Sequence, residues 1–517
     1  MKSGGVCVLF AQAGAALAVA ALIAGCGDNY RPVVTPIATN GPPAQVTAYA
    51  IVVSTTGSTT PGVVTIIDYS GDSIMTEAPI GPGPRVFTLD EIGSTGYTVN
   101  SDGTLSNFAI TTSLQAKNVS QSTLPPTAQP VNLMAPSTGL WATDLNGDVV
   151  DQFLGSPQAF QRAIPVATST SPATMPMFVA GSAKVSGQRE YVLSQNVPDT
   201  APLTCNISPR TAPTGVATPI ELSSNTTDPA IPAGKCPVYA VQTPDLQRLF
   251  VMNRGDDTIT VINTANNSPD ACTPFQNQNG QWITCHPTIQ LPAGSGPVYA
   301  EYVPATQQLV VANYDGGSIS VINVPLDAYG NDSNTYTNSN CTTYAACGPI
   351  TGGFGTVTTI PVGNTATPNP ASVTVLYDGS KAYTANQNDD NGTGNGTVTV
   401  VNLSTYTLEK TITVVGHPRM VMNTQNSEYA KIYVASPDSP YITIIESTPT
   451  VTDLIDTTVL VEGNVVDMRV NSQNGSSGTN NYSSRVPGYG QPCNLSPSGM
   501  VATYGANYTL AECQAVP

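Results

Sequence analysis

Two turns carry the same cation in the same setting: Gly81-Pro82-Gly83-Pro84-Arg85 and Gly416-His417-Pro418-Arg419. A guanidinium offers five donors in a planar fork. Two at matching places, with an imidazole beside one, could clamp a carboxylate or a phosphate. Other turns supply the opposite charge: Arg254-Gly255-Asp256-Asp257, Tyr314-Asp315, Asp389-Asp390 and Asp438. Ordinary surface pairing of these cations with these carboxylates is the competing account, and it leaves no ligand to bind. The oxygen-rich stretches Asn388 to Gly396 and Asp144 to Asp148 invite a Ca²⁺ reading. Neither has the Gly and terminal Glu of an EF-hand loop, and Asx-Gly turn chemistry accounts for both without an ion. Only His286 and His417 are histidines, which excludes a multi-His metal centre. The chain has no Gly-x-Ser-x-Gly elbow, no Gly-Lys-Ser/Thr phosphate loop and no His-Glu-x-x-His. No cofactor is expected.

These residues share a setting. Arg248 to Asn267, "RLFVMNRGDDTITVINTANN", is two alternating apolar runs joined by a polar turn, hence a hairpin. The pattern returns at Gln308 to Asn323, Lys381 to Asn402, Lys431 to Ser447 and Ala48 to Asp68, with weaker copies at Gly96 to Ile110, Leu140 to Leu154 and Glu190 to Asn196. A third strand, a Gly-Pro turn and a further strand follow each clear copy. Four short strands per unit at a period of about 45 residues predict an all-β chain, a β-propeller of seven or eight blades, with eight units counted. In such a ring the hairpin turns and the inter-blade turns open on one face. Arg85, Asp256, Asp257, Tyr314, Asp315, Asp389, Asp390, His417 and Arg419 are therefore the candidate ligand-binding residues of that face. The first unit lacks an inner strand, and Asn464 to Val470 can supply it and close the ring.

The wording of the units resembles the YVTN family of β-propeller repeats, in "DGSKAYTAN", "GTVTVVNLSTYTLEKTITVVGHP" and "RLFVMNRGDDTITVINT". The likeness is strong over 238–447, fair over 45–90 and poor over 100–230. Asn263 and Asn323 stand where the family has Asp, and Ser54 and Ser436 where it has Asn. YVTN-like propellers are similar to sugar-lactone lactonases and to the haem d1 domain. The resemblance thus implies a lactonase-type hydrolase as the alternative to a binding module, with His417 or a channel carboxylate as base. Seven blades are the commoner count in that family.

At the N-terminus one Lys precedes a long apolar run that ends Ile23-Ala24-Gly25-Cys26, a secretory signal resembling the bacterial lipobox. The expected order is a signal peptide over 1–25, a Pro-rich tether over 26–44 from a lipidated Cys26, a propeller over 45–470, a linker over 471–492 and a small appendage over 493–517. Eight further cysteines fall into four neighbouring pairs: Cys205 and Cys236, Cys272 and Cys285, Cys341 and Cys347, Cys493 and Cys513. Local disulfides are expected for an exported chain. The first three pairs lie in overlong units, so each would pin an insertion.

A formal net charge of -17 repels phosphate backbones, which argues against nucleic acid. The expectation is a lipid-anchored envelope protein, at the outer membrane, touching membrane through its anchor alone. Its ring face would serve as a non-catalytic binding or scaffold surface for a protein or glycan partner. Poverty in histidine and in charged residues favours this over the hydrolase.

Overall fold

The computed structural model describes residues 49–471, apart from 91–92, 111–118, 137–138, 168–172, 182–188, 198–203, 244, 274, 277–281, 284, 327–352, 377, 391, 425–429 and 449–451. Cys26, the tether, Cys341, Cys347, Cys493, Cys513 and nearly all of the expected linker and appendage lie outside the described residues.

Eight antiparallel sheets form a β-propeller. From the inner strand outward, blade 2 is Pro84–Leu89, Thr95–Asn100, Thr104–Ala109 and Val119–Thr123, and blade 3 is Pro130–Met134, Leu140–Asp144, Val149–Leu154 and Ala159–Pro165. Blade 4 begins Pro176–Gly181, Arg189–Ser194, Thr214–Glu221 and blade 5 Pro237–Gln242, Arg248–Asn253, Thr258–Asn263; in both, two short outer pieces share the fourth position. Blades 6, 7 and 8 start with Pro297–Val303, Pro370–Val375 and Met420–Asn423. Blade 1 draws on both ends of the chain: Asn464–Val470 pairs antiparallel with Tyr49–Thr55, followed outward by Pro61–Asp68 and Ser73–Pro82. Tyr49 N donates to Asn471 Oδ1 at 2.5 Å across 422 residues. The closing strand is the one expected from the sequence.

Inner strands neighbour one another around the ring, so the middle strands of each blade are covered on both faces. That is why Arg248–Asn253 and Gln308–Asn313 are buried at every position, whereas the outer strand Thr407–Thr413 is mostly exposed or half-buried.

Two local devices recur. Asn100, Asn253, Asn313 and Asn386 each end a second strand, and each Nδ2 donates to two hydroxyls of the third strand at 2.7 to 3.1 Å, as Asn253 does to Thr258 and Thr260. In addition, six inner strands begin with proline, which has no N–H to leave unpaired at a strand start. Directly after it the pairing slips, so Arg85, Val131, Met177, Val238, Val298 and Ala371 are bulge residues. Five of the six are apolar and buried; Arg85 is the exception.

Candidate functional site

Hairpin turns and inter-blade turns meet on one face, joined by the hairpin carboxylates. Asp256 Oδ2 accepts from Lys235 N (3.0 Å), and Asp257 from Gly294 N and Gly296 N (both 2.8 Å). Asp389 accepts from Asn364 N (2.8 Å) and Thr365 N (2.7 Å), Asp438 from His417 N (2.9 Å), and Asp148 from Met175 N (2.8 Å). A carboxylate taking amide donors from an inter-blade turn ties adjacent blades together. The oxygens that suggested Ca²⁺ thus have donors of their own. Among the described residues no group of three His, Cys, Asp or Glu is placed to hold a metal.

Over blade 5 this face carries a cap. The hairpin turn of blade 4 is an insertion, 195–213, with a short helix Thr204–Ile207 and a 3-10 turn Pro209–Thr211. The Cys205–Cys236 disulfide fastens it beside the inner strand of blade 5. Arg210 pairs with Asp257 through Nη1–Oδ2 at 2.6 Å and Nη2–Oδ1 at 3.1 Å, and Lys235 Nζ donates to Arg210 O at 3.0 Å. Gly255 is required here, because a Cβ would lie 2.4 Å from Pro209 O. Burial alone would raise the Asp257 carboxyl, but Arg210 and the two glycine amides outweigh it and hold it below the usual range. The second disulfide, Cys272–Cys285, lies in an insertion of blade 5 itself.

On the same face, side chains from four blades converge. Arg254 of blade 5 is buried, forms a two-point pair with Asp315 of blade 6 (3.1 and 2.8 Å), donates to Cys205 O at 3.3 Å and lies 5.1 Å over the ring of Tyr314. Burial pushes the Tyr314 phenol up to about 12, against the pull of Arg254; Arg419 of blade 8 and a hydrogen bond with Asn388 of blade 7 also lower it. Asn369 Nδ2 donates to Tyr314 O at 2.9 Å, and Asn388 Nδ2 to Asn369 Oδ1 at 3.0 Å. Beside Asn388, Gln387 is buried with both amide atoms unpartnered.

His417 lies between blades 7 and 8. Its Nδ1 is 2.5 Å from Asp438 Oδ2 and its Nε2 is 3.8 Å from Asp390 Oδ2. The hydrogen bond with Asp438 is the main cause of an imidazole pKa above its ordinary value, with Asp390 adding to it. The Asp390 carboxylate is held low chiefly by the Thr393 amide. Arg85 belongs to blade 2, so blade 1 separates it from Arg419; the structure brings Arg419 to Tyr314 and sets Arg85 apart. Sequence reasoning missed Arg210 and the cap, and it missed Asn369; Asn388 entered it only within the oxygen-rich stretch Asn388 to Gly396. The one signal for Arg210 and the cap was the insertion itself, marked by Cys205 and Cys236.

No family model matches the chain, and no curated protein matches it in sequence. Solved structures do. It is similar to the dihydro-haem d1 dehydrogenase NirN, with a TM-score of 0.51 and 12% identity over 87% of this chain and 80% of that one. The periplasmic gluconolactonase PpgL of Pseudomonas aeruginosa gives 0.44 and 16% over 82% and 98%, and AztD of Citrobacter koseri 0.47 and 14% over 82% and 97%. At such identities the likeness extends to the propeller fold alone.

Proposed function

We propose that the chain is an exported, lipid-anchored β-propeller whose ring face is a non-catalytic binding surface for a glycan of the cell envelope. The observation that carries this is the use already made of the charged groups. Asp257, Asp389 and Asp438 hold inter-blade turns and Asp315 holds Arg254, so these carboxylates are already engaged within the face. The turns of blades 6 and 7 expose amides and hydroxyls, Asn364, Thr367, Asn388 and Thr393, beside the apolar Ala366 and Val415. Uncharged donors and acceptors on that rim suit a polyhydroxylated partner. The purified mature chain, screened against envelope oligosaccharides, should bind without turnover, and Asn364→Ala with Asn388→Ala should weaken binding at least about tenfold. Binding unchanged in that double variant would reject this face. The anchor is tested separately: Cys26→Ser should release the protein from the membrane fraction.

A second reading has one specific observation in its favour. The Asp438 contact orients the His417 imidazole, whose Nε2 stands 3.8 Å from Asp390 Oδ2, and an oriented imidazole is what a general base needs. In a lactone hydrolase, Nε2 would take a proton from water as the hydroxyl attacks the carbonyl, the ring C–O bond would break, and the alkoxide would recover the proton. The periplasmic gluconolactonase among the structural neighbours shares the fold only. Lactone turnover by the wild type that disappears in His417→Gln would put this reading first.

A further inference from the structure

We propose that blade 3 carries a pH-operated catch, in which loss of a proton from a carboxyl group buried inside the blade loosens its ring-face end and its contact with blade 2. Comparison of the repeats locates it. At one register position of the third strand the seven other blades carry a serine or threonine, Ser106, Thr260, Ser320 and Thr399 among them, and blade 3 carries Asp151. In blades 2, 5, 6 and 7 the Asn that ends the second strand donates to that hydroxyl at 2.7 to 2.9 Å, as Asn253 does to Thr260. Blade 3 ends that strand with Asp144. An amide donor facing a hydroxyl is thus replaced by two carboxyls, and neither can donate without a proton. Both are buried, Asp151 to 2% exposure, and Asp151 Oδ2 has no partner.

Asp144 is itself tied down. Its Oδ1 accepts from Gln129 N at 2.8 Å, in the turn leading from blade 2, and from Asn146 N at 3.0 Å, in the blade's own hairpin. Asp151 lies opposite Ala142, which packs with Tyr97 and Val99, so it faces blade 2. Blade 2 meets it with the phenol of Tyr97, beside Asp90, and carries Arg85 at its inner bulge; Asp102 and Asp148 lie in the hairpin turns. The remaining strands of blade 3 add only Arg162, opposite Gln152 on the blade's other side, where Glu190 also faces it from blade 4. Burial, with Asp144 adding to it, pushes the Asp151 carboxyl up to about 7. Opening the interface returns that carboxyl to water, where it titrates near 4, so between those values each pH unit makes opening about tenfold easier. A cavity of about 80 Å³ lined by Val99, Asn100, Gln129 and Val131 already interrupts the packing at this end. The catch shares no residue with the glycan surface of blades 6 and 7, so either can fail while the other stands.

The test is amide hydrogen exchange of the full mature chain from about pH 4 to 8, read peptide by peptide and corrected for the pH dependence of exchange itself. Peptides over 95–100 and 140–154 should lose protection by up to about a thousandfold between pH 4 and 7 and little more above, while 308–323 of blade 6 should stay level. Asp151→Thr, which gives blade 3 a residue the other blades use, should flatten the profile and keep protection high. Asp144→Asn, which offers Asp151 an amide donor, should shrink the loss at least about tenfold. Asp102→Asn, on the exposed turn of blade 2, should leave the profile as in the wild type. Thermal unfolding of each variant confirms that it is folded. A level profile in the wild type, a loss that survives Asp151→Thr and so belongs to Glu190, or identical profiles for Asp144→Asn and the wild type would overturn the proposal.

Discussion

Blades 5 to 7 and blades 3 to 4 have the same strand order and different interiors. In the first group Asn253, Asn313 and Asn386 bridge two strands through paired hydroxyls. In the second, the equivalent positions are Asp144, whose carboxylate serves Gln129 N and Asn146 N, and Ser194, whose buried hydroxyl has no partner. Trp141 Nε1, Thr143 Oγ1, Gln152 Oε1, Tyr191 OH and Thr218 Oγ1 are buried and unpartnered as well. Among the described residues, the carboxyl oxygens buried without a hydrogen bond belong to Asp151 and Glu190. Burial pushes the Asp151 carboxyl up to about 7, with Asp144 adding to it, and raises Glu190 well above its ordinary value. Unpaired buried polar groups cost free energy; in blades 5 to 7 the repeat pattern satisfies the Asn Nδ2 donors and the third-strand hydroxyls, while Asn253 Oδ1, Asn313 Oδ1 and both amide atoms of Gln387 are buried without a partner there too.

Cutting the ring should override this difference altogether. A chain ending at Gly463 loses the strand that buries Val465, Met468 and Val470, at about 1.5 to 3 kcal/mol each, an amount comparable with the net stability of a domain. A chain ending at Asn471 keeps that strand. Thermal unfolding and light scattering should therefore find the first aggregated or unfolded and the second native-like. Equal behaviour would remove the closing role.

Titration should separate the two groups of blades. Asp151 keeps a proton in the folded state that the unfolded chain gives up near pH 4, so stability falls as pH rises from about 4 to about 7 and is level above. Asp151→Asn should abolish that fall, a relative gain on the order of 4 kcal/mol by pH 7.5. Glu190→Gln should act in the same direction. Denaturant midpoints at pH 4.5 and 7.5 measure both, and parallel pH curves for wild type and variants would count against it.

The smallest effect compares single hydrogen-bonding side chains. Asn313→Ala removes the donor to the Ser318 and Ser320 hydroxyls, of which Ser320 keeps Thr359 Oγ1 as a partner, and should cost about 1 to 3 kcal/mol. Ser194→Ala removes a hydroxyl with no partner and should be neutral or slightly stabilising. Equilibrium unfolding of the two variants checks the contrast, and equal losses would erase the distinction between the blades.

Much of the ring was legible because period and burial leave marks along the chain. The hairpins at Arg248–Asn253 and Gln308–Asn313, the missing strand of the first unit and the pairing of Cys205 with Cys236 needed only local pattern. The weak likeness over 100–230 has its counterpart in blades 3 and 4, where Asp144 and Ser194 replace the bridging Asn. Partners in space were not legible. Asp257 looked like a free ring-face carboxylate, yet it serves Arg210, 47 residues earlier, and Gly296, 39 later. Arg85 and Arg419 looked like a pair because their turns match, and blade 1 stands between them. Alternation tells which way a side chain faces and says nothing of what it meets.

The junction of Tyr49 with Asn471 also decides how the molecule would respond to a pull. Described chain enters and leaves at the same end of one antiparallel strand pair, Tyr49 beside Asn471 and Ala50 beside Val470. Force applied between the two termini would peel that pair apart one bond at a time, in place of loading all its bonds together in shear. Under tension the ring has a zip fastener at its seam, and that seam would yield at a lower force than any blade interior.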